Sequence, residues 1–266
     1  MNILYEIAES TKQRVEMQKK ILPMEKIIEL AQPKPEVSSQ FLFEEALKTD
    51  DIAFICEIKK ASPSKGIIAE DFPYINIAKE YEAAGAAAIS VLTEPLYFKG
   101  HDEYLREIAE TVSIPLLRKD FTVDSYMIYE AKILGASAVL LICSILDPET
   151  LEEYITLAHS IGLSALVETH SADEVDMALK AGARIIGVNN RNLKTFDVDI
   201  TLSERLRQRV PKNIFFISES GIKTTDDVAR LRDIGANAVL IGETIMRSDD
   251  KYKEILYLQG KSNDKS

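Results

Sequence analysis

The sequence is short of several residue types, and each shortage removes a class of function. It has two cysteines, Cys56 and Cys143, each inside an apolar strand-like run. Neither a disulfide framework nor a metal cluster can be read from them, so they are taken as small buried hydrophobes. The three histidines fall in a loop (His101), on a helix (His159) and in the loop after a strand (His170). No His, Cys or carboxylate spacing suggests a metal, so no metal is expected and all three histidines are read as surface or structurally satisfied. Basic residues are outnumbered: 32 Lys and Arg against 43 Asp and Glu leave a net charge of −11. That balance argues against a nucleic-acid or anionic-membrane partner, both of which need a basic field, but permits a small anion in a local basic pocket. No apolar run approaches the ~20 residues that span a bilayer. The amino-terminal Met1-Asn-Ile-Leu-Tyr-Glu6 lacks the basic start and apolar core of a signal peptide, so a cytoplasmic protein is expected. No Gly-x-Gly-x-x-Gly follows the first strand, and no cofactor is expected. Tryptophan is absent altogether.

What remains is an ordinary globular composition, 46% apolar and 28% charged, in 266 residues. From Ala53 onward the pattern is regular. Apolar runs at Ala53–Lys59, Ala87–Thr93, Pro115–Lys119, Ala138–Cys143, Leu163–Glu168, Arg184–Asn189, Asn213–Glu219 and Asn237–Gly242 read as strands. Helical stretches lie between them, among them Ile75–Ala84, Ser125–Leu134, Pro148–Ser160, Ala172–Ala181 and Thr225–Ile234. Such alternation means parallel strands with right-handed crossovers. A Gly-Ala pair (Gly85, Gly135, Gly182 and Gly235 with the alanine after each) recurs between helix and strand, ending the helix and letting it pack close to the sheet. Eight strands in units of roughly 20–35 residues is the arithmetic of a (β/α)8 barrel, an α/β fold. A doubly wound open sheet is the competitor, and it rarely needs eight units of such even length. Residues 1–50 carry helical patterns at 3–20, Met24–Leu30 and Phe41–Lys48, punctuated by Pro23, Pro33 and Pro35. They hold too few apolar residues for a core of their own, so the whole chain, 1–266, is expected to be a single domain with a helical extension. It ends soon after the eighth unit, and no fused second enzyme is expected.

The stretch Ala53-Phe-Ile-Cys-Glu-Ile-Lys-Lys-Ala-Ser-Pro-Ser-Lys-Gly66 shows where chemistry enters. Strand alternation puts Ile55, Glu57 and Lys59 on one face and Phe54, Cys56 and Ile58 on the other. Charge at the end of a buried strand is expensive unless paired or used. The pattern recurs: Lys119 ends the third strand, Glu168 the fifth, Asn189 the sixth, and Glu219 with Ser220 the seventh. Active sites of these barrels form at the carboxyl ends of the strands, so three carboxylates, two lysines and an amide are expected to converge at one mouth. Ser220-Gly-Ile222 and Ile241-Gly-Glu-Thr244 follow strands seven and eight, where such barrels commonly bind phosphate. Ser62, Lys65 and Arg191 are candidates to complete the anion clamp. Together these features predict cofactor-free acid–base catalysis on a phosphorylated small molecule, with no obligate protein partner evident.

With those residues in place, the sequence resembles the indole-3-glycerol-phosphate synthases over almost its whole length. The matching stretches are Glu57-Ile-Lys-Lys-Ala-Ser-Pro-Ser-Lys-Gly66, Ile89-Ser-Val-Leu-Thr-Glu-Pro-Leu-Tyr-Phe-Lys-Gly100, Leu117-Arg-Lys-Asp-Phe121, Leu166-Val-Glu168, Gly187-Val-Asn-Asn-Arg-Asn-Leu193, Ser218-Glu-Ser-Gly-Ile222 and Ile241-Gly-Glu243. The resemblance implies a carboxy-lyase that closes the indole ring of 1-(2-carboxyphenylamino)-1-deoxyribulose 5-phosphate, releasing carbon dioxide and water. It implies Lys119 as the general acid of ring closure, Glu168 as acid or base in loss of the hydroxyl, and Lys59 as partner of the anthranilate carboxylate. Glu57, Asn189 and Glu219 would hold the lysines and substrate hydroxyls. Ser62, Arg191, Ser220, Gly221, Gly242 and Glu243 would take the phosphate, Glu243 through its backbone N–H with its side chain turned away. Leu92, Phe98, Phe121, Leu140, Ile142 and Leu193 would form the apolar slot, and the extension would help cover the barrel mouth. The nearest alternative is another phosphate-binding barrel enzyme, a sugar-phosphate isomerase or epimerase, which does not require Lys59, Lys119 and Glu168 together.

Overall fold

The structure, a computed structural model, describes residues 3–32, 41–192 and 195–262. Eight strands close into a barrel: β1 (Ala53–Ile58), β2 (Ala88–Leu92), β3 (Leu116–Lys119), β4 (Ala138–Ile142), β5 (Ser164–Thr169), β6 (Ile185–Asn189), β7 (Phe215–Glu219) and β8 (Ala238–Ile241). Each pairs in parallel with its sequence neighbours, and β8 returns to β1 with Ala53 opposite Ala238 and Ile55 opposite Leu240. The helices are α1 (Ile3–Ile21), α2 (Met24–Ala31) and α3 (Leu42–Ala46) before the barrel, then α4 (Tyr74–Ala83), α5 (Asp102–Ala109), α6 (Ser125–Ile133), α7 (Pro148–Ser160), α8 (Ala172–Lys180), α9 (Thr201–Arg207), α10 (Thr225–Asp233), α11 (Glu243–Arg247) and α12 (Lys251–Leu258).

Strand alternation sorts the apolar residues into two cores. Phe54, Cys56 and Ile58 face outward and pack with α4 residues Ile77, Ala78 and Tyr81 between barrel and helices. Ala53, Ile55, Leu117, Leu140, Leu166, Ile217 and Leu240 fill the barrel interior. Both cysteines are buried and unpaired, and burial pushes both thiols upward in pKa.

Local chemistry sets the helix ends. Asp147 caps α7 by accepting from the Thr150 amide at 2.8 Å, with Pro148 in the first turn. Thr224 and Asp227 form a reciprocal capping box at α10. At the carboxyl ends of α4 and α6, Gly85 and Gly135 take φ of 81° and 88°, the left-handed geometry the Gly-Ala repeat implied.

The amino-terminal extension divides between the two ends of the barrel. At the mouth, Leu4 and Ile7 of α1 join the interior cluster that includes Phe121, Leu140 and Ile142. At the opposite end, Phe43 and Leu47 join the same interior cluster beside Ala53 and Ile185. There Glu44 of α3 accepts from Ser164 at 3.2 Å and pairs with Arg184 at 2.7 Å, at the starts of β5 and β6. Between them, Ile27 of α2 packs with Val15, Tyr126 and Met127 against α6.

Candidate active site

The polar residues at the strand ends meet in one cavity. Inward-facing positions at the carboxyl ends of β1, β3, β5, β6 and β7 carry Glu57, Lys119, Glu168, Asn189 and Glu219, and all five line it together with Lys59. Lys59 donates to Glu57, two residues back along β1. Lys119 Nζ donates to Glu168 Oε2 at 3.2 Å and lies 3.8 Å from Glu219 Oε2. Room for Glu219 comes from Gly187 on the neighbouring strand, because any Cβ there would collide with its carboxylate. Gly242 makes the same allowance for Glu57, and a Cβ there would also stand 3.0 Å from Lys59 Nζ.

This crowding tunes the protonation states. Burial opposes a charged Lys119, but the charges of Glu168, Glu219 and Glu57 outweigh it and hold the pKa above its ordinary value. Burial likewise opposes an ionised Glu168, but Lys119 and His170, with a hydrogen bond from Asn189, hold it below the usual range. Glu219 shows the reverse result: burial and the charge of Glu168 lift it to about 8. The site therefore pairs a carboxylate held ionised with a carboxyl held protonated, on either side of one ammonium.

A second cluster lies at the β7 and β8 ends. Ser220 has φ of 67° and Gly221 φ of 85°, two successive left-handed residues, the first of them not a glycine. Such strain persists only where surrounding contacts impose it; here Asn190 Nδ2 donates to the Ser220 carbonyl at 3.1 Å. Arg191 is oriented by its amide, which donates to Asn189 Oδ1 at 3.0 Å, and by its guanidinium, which donates to the Phe196 carbonyl at 3.2 Å. The Glu243 carboxylate lies 3.5 Å from Lys65, 3.6 Å from Arg191 and 3.2 Å from Arg247. Its side chain thus reaches into the cationic cluster, where the sequence reading had it turned away. Three cations nearby outweigh the cost of its partial burial and hold its pKa down, Lys65 foremost among them.

The remaining wall is apolar. Leu92, Phe98, Phe121, Leu140 and Ile142 line the cavity, with the Phe98 and Phe121 ring centroids 6.2 Å apart. The loop bearing Phe98 is held by buried Glu94, whose carboxylate accepts from the amides of Leu96, Tyr97 and Phe98 at 2.8–3.0 Å. A cationic end, a buried acid–base group and a flat apolar wall suit an elongated substrate with an anion at one end and an aromatic ring at the other.

Comparison with known proteins identifies the family. A family model described as indole-3-glycerol phosphate synthase matches residues 4–258. The indole-3-glycerol phosphate synthase of Ruminiclostridium cellulolyticum is 60% identical over 258 residues, covering 97% of this chain and 99% of its own. That of Lachnoclostridium phytofermentans is 52% identical over 259 residues, covering 94% and 96%. The chain belongs to the indole-3-glycerol phosphate synthase family. Among solved structures, a 3-hexulose-6-phosphate synthase superposes with a TM-score of 0.63 at 14% identity, covering 79% of this chain and 99% of that one. At that identity the likeness is one of fold.

Within this family member, Ser62, Arg191, Ser220, Gly242 and Glu243 line the main cavity, while Gly221 lines an adjoining cleft shared with Lys65, Arg191 and Glu243. Leu193 lies outside the described residues. The sequence reading missed Ile3, Leu4 and Ile7 of α1, which line the cavity from above. The extension was expected to help cover the mouth, but these residues were not singled out within its helical spacing. It also passed over His170, whose Nε2 lies 3.6 Å from Glu168 Oε1. The available signal was its place two residues beyond Glu168 at a strand end. Among the described residues, no group of three His, Cys, Asp or Glu side chains is arranged to hold a metal ion.

Proposed function

We propose that Lys119 and Glu168 carry the acid–base steps of indole-ring formation, on a substrate gripped by Lys59 at its carboxylate and by the β7 and β8 loops at its phosphate. The activity is that of a carboxy-lyase of tryptophan biosynthesis: 1-(2-carboxyphenylamino)-1-deoxyribulose 5-phosphate becomes indole-3-glycerol phosphate, carbon dioxide and water. In ring closure the aromatic carbon attacks the ribulose carbonyl, and Lys119 protonates the oxygen as charge builds on it. A buried, preorganised ammonium stabilises that oxygen far better than water does. Its raised pKa keeps it charged until it donates.

Decarboxylation then leaves its electron pair in the ring and restores aromaticity. Glu168 serves the dehydration, giving a proton to the leaving hydroxyl or taking one from the ring. Glu57, Asn189 and Glu219 hold the lysines and the substrate hydroxyls. Ser62, Arg191, Ser220, Gly221, Gly242 and the Glu243 amide receive the phosphate.

The observation that carries this reading is Lys119 standing between Glu168 and Glu219 beneath an apolar wall. The net charge of −11 fits a small-molecule partner over nucleic acid. Among the described residues, no helix is long and apolar enough to cross a membrane, and we take the cytoplasm as the working compartment. The test is turnover by the purified protein, followed by the fluorescence of the indole product. Product formation that is lost in Lys119→Ala supports the assignment. Absence of product from the unaltered protein removes it.

A further inference from the structure

The reaction has a proton balance that the residues above do not close. Ring closure adds one proton to the carbonyl oxygen. Loss of carbon dioxide changes no proton count, and dehydration takes one proton for the leaving hydroxyl while the ring returns one. One proton must therefore enter from solvent in each turnover. Glu168 is shut away, with its side chain 2% exposed, and substrate would fill the mouth above Lys119, whose side chain is 15% exposed.

Beside Glu168, among residues that do not line the substrate cavity, a line of polar groups leads outward. His170 Nε2 lies 3.6 Å from Glu168 Oε1 and is buried without a hydrogen-bond partner. On the other edge of the ring, Nδ1 lies 3.4 Å from Glu174 Oε2 and 3.5 Å from Ser144 Oγ. Ser144 donates to the second Glu174 oxygen at 2.6 Å, and the His170 amide donates to the first at 2.6 Å, so the carboxylate is fixed on both sides. Exposure rises along this line, from 2% at Glu168 to 16% at His170 and 22% at Glu174. His170, Ser144 and Glu174 also line a neighbouring cleft that shares Leu4, Asn189 and Arg191 with the substrate cavity but does not include Lys119 or Glu168.

We propose that His170 is a positioning residue for Glu168 and the step by which the consumed proton reaches it from solvent. This rests on the reading of Glu168 and Lys119 given above. In the transfer, the Nε2–H bond of an imidazolium breaks and an O–H bond forms on Glu168. Glu168 in turn returns a proton to Lys119 across their 3.2 Å contact. His170 regains its proton at the cleft edge beside Glu174, and no oxidant, reductant or further reactant is involved. The gap to Glu168 closes by a small ring rotation, as acid–base contacts commonly do once substrate is bound. The charged groups facing the imidazole are Glu174 from α8, Glu168 from β5 and Lys119 from β3. Burial and Lys119 oppose its charge, the two carboxylates outweigh them, and the ring is held more basic than an ordinary histidine.

The test measures kcat and KM for His170→Asn, and kcat for His170→Ala with and without added imidazole. In His170→Asn we expect the rate to fall at least about tenfold, KM to change by less than about twofold, and the solvent deuterium isotope effect to grow. Imidazole should restore much of the rate in His170→Ala, an effect that a purely structural histidine would not give. A His170→Asn rate within about twofold of the parent overturns the relay, as does a loss with no imidazole rescue and an unchanged isotope effect. Thermal melts confirm that each variant is folded, and if His170→Ala is not, the His170→Asn rate and isotope effect decide alone. Failure of the unaltered protein to form product would instead overturn the parent reading.

Discussion

Arg14, on a helix outside the barrel, donates to the carboxylate of Asp120 at 2.8 Å, and Asp120 directly follows Lys119. Asp120 is fully buried and also accepts from Thr93 Oγ1 at 2.6 Å and from the Phe121 amide at 2.8 Å. Arg118, on the other side of Lys119, is locked under the helices by Asp102 and Glu130, each at 2.7 Å, and by the Met127 carbonyl at 3.0 Å. The residue assigned as general acid is thus held by its neighbours on both sides, one of them tied to the amino-terminal extension.

Arg14→Leu should therefore weaken both fold and turnover. Leaving a buried carboxylate short of a partner commonly costs about 3–5 kcal/mol. Since Arg14 is 19% exposed and Thr93 remains, about 1–3 kcal/mol is expected here, with a several-fold lower kcat. Urea denaturation and steady-state kinetics check it, and a variant as stable and active as the parent would show the contact to be incidental.

Lys119→Ala should lower indole-3-glycerol phosphate formation by about 10²-fold or more while leaving affinity for phosphate-bearing inhibitors within a few-fold. Ligand titration beside the rate assay separates the two effects. Turnover near that of the parent would refute the role of Lys119.

Glu219 makes stability depend on pH in a defined direction. Its folded pKa is about 8 against an ordinary 4.5, so over that interval the folded protein holds a proton that the unfolded chain has lost. The resulting stability is complete below 4.5 and is lost as pH rises through about 8. Glu219→Gln cannot titrate. Relative to its own value near about pH 5, it should gain on the parent by about 1–3 kcal/mol near pH 9. Parallel stability curves for the two proteins would show that Glu219 is not the titrating group.

On the proposed reading, Glu243 occupies cations that the phosphate would need. Glu243→Gln should bind inorganic phosphate more tightly, by about 3–10-fold, as the negative charge is removed from Lys65 and Arg191. Competitive inhibition by phosphate measures it, and weaker binding in the variant would mean that the carboxylate organises the clamp instead of competing for it.

The barrel was legible because its signals are local. Two-residue alternation assigned Glu57 to the interior and Cys56 to the outer core, and the Gly-Ala repeats marked the helix ends. The mouth residues followed from strand ends alone, since every inward group there must face the same opening. Contacts between distant elements were not legible in that way. Periodicity marked residues 3–20 as a helix but could not say that Leu4 joins the interior cluster with Phe121, nor that Phe43 sits beneath the barrel. The direction of Glu243 depends on Lys65, Arg191 and Arg247, which come from three loop and helix settings whose spacing carries no pattern. His170 looked like a surface loop residue until the carboxylates on either side of it were in view.

The clasp of α1 on the barrel also bears on how the chain is made. Arg14 finds Asp120 and Lys19 finds Asp124 across 106 and 105 residues of sequence. During synthesis at about 5–20 residues per second, the first helix therefore waits roughly 5–20 s before its docking site exists. Its apolar face, with Leu4, Ile7 and Val15, is exposed throughout that interval. Helix α1 joins the fold only after β3 has been made, which makes nascent protein, more than finished enzyme, the form most in need of protection from aggregation.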